Sequence, residues 1–357
     1  MSQAVDWDLA QRVAFRVAER GTQPDLRSPA VRSIGRDFTE ATEQAERLVA
    51  EATGLEVASK ARAMVVDRRS WIRANVASFQ RLLRPLTDRM AENTDESGPM
   101  GEITRMMSGA EVGVLLGWMS TRVLGQYDLL IIEDDKPDDQ DMVYYVGPNI
   151  AVLERRHGFP TREFRLWLAL HETTHRAQFM GIPWLRRHFL GLVDEALDVV
   201  DPDPGRMMEA ARRLMEARRN GEDLFRQGGL TALLAPESQR GVLDKLSGMM
   251  SLLEGHGDVT MDRAGADRLS ESARFGRVLR ARRSSARGLN KLLQRLVGIE
   301  AKLYQYQAGE AFIDAVERLE SAAFVERAWE APDCLPDMAE IKSPKLWIDR
   351  MNARAAA

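Results

Sequence analysis

The first third of the chain has a helical pattern of apolar and charged residues. Through residues 8–19, 38–52 and 56–86, apolar side chains recur at three- and four-residue spacing with charged ones between them. This spacing places the apolar side chains on one face of a helix. We therefore predict an amphipathic helix over each of the three segments.

A fourth helix is predicted after residues 93–101, a loop that collects Asn, Thr, Asp, Ser, Gly and Pro. Its sequence contains Gly109, Ala110, Gly113 and Gly117, most of them at helical spacing. Small residues on one face let a neighbouring backbone approach closely. We expect this helix to pack tightly against another element.

Two runs in the middle of the chain have the composition of β-strands. Leu129–Ile132 and Met142–Val146 are rich in apolar, β-branched and aromatic residues, and the acidic residues 133–141 separate them. We predict a hairpin here. From Ile182 onward the pattern is helical again, so the chain is predicted to be mainly α with a small β element.

The helix predicted after this hairpin carries a chemical motif. His171 and His175 are four positions apart, about 40° on a helical wheel, so both imidazoles can reach one metal ion. Glu172 lies beside that face, where its carboxylate can take a proton from a metal-bound water. This is the HExxH arrangement, and it predicts a zinc site with Glu172 as general base.

A third protein ligand is needed, because a catalytic zinc keeps three protein ligands and one open position. Glu254 is the favoured candidate, since Gly255 and Gly257 beside it are costly in a helix unless something packs very close, such as the active-site helix itself. Glu195 is the alternative. It follows His175 by twenty positions, a spacing that thermolysin-like gluzincins use, but it also suits a solvated helix face.

Other side chains are candidates for supporting roles. In gluzincins the carboxylate four residues after the ligand glutamate orients a ligating histidine, and Asp258 stands at that position after Glu254. His256 is either a buried, hydrogen-bonded histidine or a residue that contacts substrate. A developing oxyanion needs a donor, and the candidates by chemistry are Tyr304, Tyr306, His256 and Arg176.

Composition limits the partners. With 44% apolar and 29% charged residues, the 357-residue chain has the balance of a globular protein. Its net charge of −4 gives no overall attraction to nucleic acid or to an anionic membrane. The basic run Arg274–Lys291 contains only one aromatic residue, Phe275, and is interpreted as a solvated surface. We expect no nucleic-acid partner.

The compartment is also constrained by composition. The chain begins without the basic and apolar regions of a secretory signal, and its most apolar stretch, residues 112–118, is too short to cross a bilayer. Cys334 is the only cysteine, so neither a disulfide within the chain nor a zinc-binding cysteine cluster is available. These features predict a cytoplasmic protein without a membrane partner.

Four segments resemble a large actinobacterial family of zincin-like metallopeptidases: His171–His175, Gln178–His188, Ser251–Asp258 and Leu292–Phe312. The resemblance covers most of the chain from about Gly109 onward, and it implies a metal-binding, mostly helical fold. Val5–Asp8 and Val123–Leu129 resemble the subgroup described as associated with biosynthesis of a deazaflavin coenzyme. No step of the mechanism depends on that association.

The sequence therefore predicts a mainly α (α+β) fold, with a zincin-like metal helix, a small β-hairpin or edge strand and extra helical lobes. We predict three regions: an N-terminal helical region (1–108), a metal-binding core with a helical insert (109–331) and a C-terminal tail packing on the core (332–357).

The predicted function is a zinc-dependent peptidase. Its peptide or protein substrate would pair with the strand Val143–Gly147. The alternative is a metal-binding but non-proteolytic scaffold or regulatory protein. The oligomeric state is not predicted.

Overall fold

The computed structural model describes residues 5–22, 24, 29–84, 87, 99–129, 141–198, 237–284 and 299–356. These residues contain thirteen α-helices, three strands and short 3-10 turns near the C-terminus. The helices and strands, in chain order, are α1 (Trp7–Glu19), α2 (Pro29–Thr53), β1 (Arg62–Val66), α3 (Arg68–Leu82), α4 (Pro99–Ser120), β2 (Gly125–Tyr127), β3 (Met142–Val146), α5 (Gly147–His157), α6 (Thr161–Gly181), α7 (Leu185–Asp198), α8 (Glu237–Gly265), α9 (Ser272–Ser284), α10 (Ile299–Leu319), α11 (Ala322–Val325), α12 (Met338–Lys342) and α13 (Pro344–Ala356). The predicted mainly helical fold with a small β element is confirmed.

The three strands form one mixed sheet in the order β1-β3-β2. The central strand β3 pairs in parallel with β1, so that Val66 lies opposite Val146, and pairs antiparallel with β2. The predicted antiparallel pairing into β3 is present, but the first strand is Gly125–Tyr127, and Leu129 lies outside it. Residues 130–132 of the predicted strand lie outside the described residues.

The prediction of one helix over residues 56–86 is wrong, because the segment contains both β1 and α3. β1 pairs with β3, a partner about eighty positions further along the chain, and this pairing buries Val66. Asp67 then begins α3 by accepting a hydrogen bond of 2.7 Å from the Ser70 N–H. The strand thus depends on a non-local contact and the helix on a local cap.

The two faces of the sheet are buried against different helices. On one face, Tyr145 of β3 stacks on Phe38 of α2, with ring centroids 3.9 Å apart, and its hydroxyl lies 2.9 Å from that of Thr42. α2 packs beside α6, which also contacts β2 and β3. On the other face, Val146 joins an apolar cluster with Trp71 and other residues of α1, α3 and α4. The sheet therefore supports α6 from one side.

α1 and α4 approach each other closely, as the small residues of α4 predict. A Cβ atom placed on Gly113 would lie 2.8 Å from the Val13 Cβ and would overlap the carbonyl oxygen of Ala10. Gly109 and Gly117 face the carbonyls of Asp6 and Ala14 in the same way. Helix α1 is the element that these glycines accommodate.

Contacts divide the chain into two compact units, the first comprising Met1–Gly181 and Thr260–Phe275 and the second Ile182–Val259 and Gly276–Ala357. In the second unit, Gly255 of α8 lies against Gly309 of α10, where a Cβ would be 2.5 Å from the Glu310 nitrogen. Gly255 thus has a close neighbour, but the nearest atoms belong to α10 and not to the active-site helix suggested from the sequence. The three regions predicted from sequence stay a prediction. Among the described helices, none has the length and apolar character needed to cross a bilayer.

Candidate metal centre

His171 and His175 lie one turn apart on α6 and converge on a common point. Their Nε2 atoms are 3.3 Å apart, and the rings are nearly perpendicular, at 83°. Two nitrogens bound to one tetrahedral zinc at about 2.0–2.1 Å would be about 3.3–3.4 Å apart. The spacing of the two histidines therefore fits two ligands of the same ion.

Gln178 fixes the orientation of the second histidine. Its side-chain oxygen lies 3.0 Å from the Nδ1 of His175, and the amide is fully buried. An amide oxygen only accepts, so the proton of the imidazole belongs on Nδ1 and Nε2 keeps its lone pair for a metal. Sequence reasoning missed this residue, although its position three residues after His175 placed it on the same helix face.

Glu254 joins the two histidines in a group that could hold a metal ion. Each of the three residues is half-buried and offers one ligand atom, and these atoms all lie within 4.8 Å of one another. Glu254 is on α8. Two imidazoles and one carboxylate are a ligand set that catalytic zinc uses.

Glu172 is buried against the edge strand β2. The backbone N–H of Tyr127 donates to its Oε2 at 3.1 Å. A Cβ placed on Gly125 would lie 2.5 Å from its Oε1 and 2.6 Å from its Cγ, so any side chain at residue 125 would displace the carboxylate from this position. The carboxylate next to His171 is therefore held between helix and strand.

The other predicted site residues lie in varied surroundings. Glu195 is exposed on α7, and among the described residues the metal-binding group contains Glu254 and not Glu195. Asp258 is half-buried on α8. His256 is buried with its ring 5.3 Å from that of Trp329. Tyr304 and Tyr306 lie on α10, but their side chains are outside the described residues.

Arg176 has a different role from the one suggested for it. The sequence offers it as an oxyanion donor, but its guanidinium is buried and donates to Asp141 at 2.7 Å, to Glu46 at 2.9 Å and to the Ser59 carbonyl at 2.6 Å. These bonds tie α6 to α2 and to the starts of β1 and β3. The guanidinium therefore has a structural role, because a buried cation needs such hydrogen-bond and ion-pair partners.

The prediction that Val143–Gly147 pairs with a peptide is wrong, because this segment contains the central strand of the sheet. β3 is flanked by β1 and β2 and cannot accept a further strand. Among the described strands, β2 lies at an edge of the sheet, and it contacts Glu172 directly. The hydrogen bonds from Val146 N–H to the Leu124 carbonyl and from Asp128 N–H to the Met142 carbonyl face β3. By antiparallel alternation, the backbone groups of residues 125 and 127 point away from β3.

Comparison with known proteins identifies the family. A family model described as "Zincin-like metallopeptidase" matches residues 5–348, so the chain belongs to that family. The chain also resembles a crystal structure described as "a putative hydrolase with a novel fold" from Chloroflexus aurantiacus. The TM-score is 0.70 and the identity 30%, over 98% of this chain and 99% of that one. No curated protein matches significantly.

These comparisons confirm part of the predicted identity. The zincin-like family is confirmed, and it implies a metal, which His171, His175 and Glu254 are placed to bind. The actinobacterial subgroup associated with deazaflavin biosynthesis stays a prediction.

Proposed function

We propose that the protein is a zinc-dependent peptidase in which His171, His175 and Glu254 bind the metal and Glu172 is the general base. The observation that carries the proposal is the 3.3 Å separation of the two Nε2 atoms directly beside a buried carboxylate. Membership of the zincin-like metallopeptidase family supports the same reaction. Zinc in such a site acts as a Lewis acid, lowering the pKa of a water molecule and polarising a carbonyl group.

Glu172 transfers the proton that the attacking water loses. Glu172 accepts it on one carboxylate oxygen as the water attacks the carbonyl carbon, and later gives it to the leaving amine. The Tyr127 N–H bond to Oε2 keeps the carboxylate in one orientation during both transfers. Gln178 holds His175 with Nε2 directed to the metal position. The net reaction is hydrolysis of an amide bond.

An extended peptide is the substrate class that fits the site. Among the described strands, β2 lies at the edge of the sheet beside Glu172. Its Tyr127 N–H is bonded to Glu172, and the other backbone groups of residues 125 and 127 also point away from β3. A peptide that adds to this edge would be bound by those other backbone groups, with its side chains alternating between two faces. Such pairing would bring a scissile carbonyl near the base without a charged recognition site.

The experiment compares cleavage of a peptide library by wild type and by Glu172→Gln, with zinc measured by elemental analysis on the same samples. We expect near-stoichiometric zinc in both and a loss of cleavage of about 10²–10⁴-fold in the variant. Glu163→Gln is the matched control. It makes the same change on α6, where the two carboxylate oxygens of Glu163 accept from the Ser270 hydroxyl at 3.1 and 2.9 Å. Zinc without any cleavage by wild type would instead favour the scaffold alternative.

A further inference from the structure

The strand β2 presents its three residues to two different environments. Gly125 and the backbone N–H of Tyr127 contact Glu172, and the Tyr127 ring stacks on Phe179 of α6 with centroids 6.4 Å apart. Successive side chains of a strand point to opposite faces, so Gln126 points away from α6. Gln126, which lies between the two residues that contact Glu172, can therefore bond to groups on the other face of the sheet.

The side chain of Gln126 is hydrogen-bonded to two buried residues of α3, Trp71 and Asn75, which together form a polar clamp. The Trp71 indole N–H donates to its side-chain oxygen at 2.8 Å, and its own amide donates to the Asn75 side-chain oxygen at 3.2 Å. Asn75 in turn donates to the Trp71 carbonyl at 2.9 Å. Trp71 and Asn75 are 1% and 5% exposed, so these polar groups have little access to water. Loss of these hydrogen bonds would leave buried donors and acceptors unsatisfied.

A clamp is physically useful here because β2 is short. Three residues, paired with another strand on one edge only, give few hydrogen bonds to fix the register. A shift by one residue would send Gln126 toward Glu172 and replace the glycine that the carboxylate requires. The amide of Gln126 finds matching partners in the observed register, with the indole N–H as donor and the Asn75 oxygen as acceptor.

We propose that Gln126 is a positioning residue for the general base, acting through β2: its clamp to Trp71 and Asn75 fixes the strand, and the strand fixes Glu172 through Gly125 and the Tyr127 N–H. The proposal rests on the proposed function of Glu172. It assigns a role in the reaction to residues whose side chains lie on the opposite face of the strand from the metal-binding histidines.

The experiment uses the full-length protein labelled with ¹⁵N-tyrosine, which gives only five backbone amide signals because the chain has five tyrosines. The Tyr127 signal is assigned by its absence from Tyr127→Phe. Glu172→Ala defines the position of this signal without the carboxylate acceptor. In Gln126→Leu and in Trp71→Phe we expect the Tyr127 signal to move toward that position and its hydrogen exchange to accelerate about tenfold or more.

Catalysis provides the second readout. Both clamp variants should keep wild-type zinc content while kcat falls about 10–100-fold, because the base is misplaced and the metal is not. KM should rise as well, since β2 is also the strand proposed to bind the peptide. Trp347→Phe is the matched control. It removes another buried indole donor, bonded to the Cys334 carbonyl at 2.8 Å, and should leave the Tyr127 signal and kcat unchanged.

The outcomes separate the two proposals. An unchanged Tyr127 signal and exchange rate in both clamp variants would overturn the positioning role, whatever the activity. Absence of zinc or of cleavage in wild type would contradict the proposed function, and the Tyr127 signal would still report whether the clamp holds the carboxylate. If Gln126→Leu does not fold, Trp71→Phe, which keeps an aromatic ring in the cluster, decides the matter.

Discussion

The Nδ1 atom of His175 lies 3.0 Å from the side-chain oxygen of Gln178, one turn further along the same helix. This contact selects the tautomer whose Nε2 lone pair faces the Nε2 of His171. A ligand held in this way loses less conformational freedom when the metal binds. The affinity for zinc should therefore depend on a residue that does not touch the ion.

Replacing Gln178 with leucine should lower the zinc affinity by about 10–100-fold, the usual effect of removing the partner of a ligating histidine. Competition with a chromophoric chelator measures this affinity directly. Gln178→Glu keeps an acceptor at the same place and should retain most of the affinity. Equal zinc affinity in wild type and Gln178→Leu would show that the His175 orientation does not depend on this contact.

The identity of the third ligand gives a second prediction. Glu254→Ala removes the carboxylate of the candidate group and should weaken zinc binding more than Gln178→Leu does, by over about 100-fold. Glu195→Ala alters an exposed side chain on α7 and should retain stoichiometric zinc. Elemental analysis after dialysis against a weak chelator distinguishes the two. Zinc lost from Glu195→Ala but kept by Glu254→Ala would reverse the assignment.

His188 gives a prediction for pH dependence. Burial, and secondarily the charge of Lys245, lowers the pKa of His188 below its ordinary value near 6.5. The unfolded chain then binds a proton at a higher pH than the folded protein, so stability should fall as the pH drops below about 6.5. The fall should level off below the folded-state pKa.

Urea unfolding between pH 5 and 8 tests this effect by comparing wild type with His188→Gln, which cannot titrate. The difference in unfolding free energy between them should be constant above about pH 7 and should shift against wild type at lower pH. Comparing the two proteins cancels the titration of the other four histidines. A pH-independent difference would mean that His188 has an unperturbed pKa.

The parts of the site that sequence could predict are those fixed by local periodicity. The spacing of His171 and His175 determines their convergence, because both lie on one helix, and this needed no tertiary information. The same holds for the face of α4 that carries Gly113. Gln178 obeys the same local rule and could have been found by asking which residue lies one turn after His175.

The parts that sequence could not predict depend on contacts between distant segments. β1 is stabilised by β3, about eighty positions away, and its five residues border a strong helical pattern. β2 has only three residues, including Gly125, so no alternation could reveal it. The close neighbour of Gly255 proved to be Gly309 on α10. The glycine indicates a close approach, but not which element makes it.

The close packing of α1 against α4 gives the last prediction. Alanine at Gly113 would gain about 0.5–1 kcal/mol from helix propensity. Its Cβ would overlap the Ala10 carbonyl and lie 2.8 Å from the Val13 Cβ, so the backbones must separate. Such overpacking costs about 1–3 kcal/mol. We expect a net loss of about 1–2 kcal/mol in the unfolding free energy.

Gly35 provides the matched control within the same protein. It is an exposed helical glycine on α2, and a Cβ placed there would meet no atom within 4 Å. Gly35→Ala should therefore show the propensity gain alone, raising the unfolding free energy by about 0.5–1 kcal/mol. Because the two variants make the same chemical change, opposite signs in urea unfolding would isolate the contact with α1. A stabilised Gly113→Ala protein would mean that the helices separate at little cost.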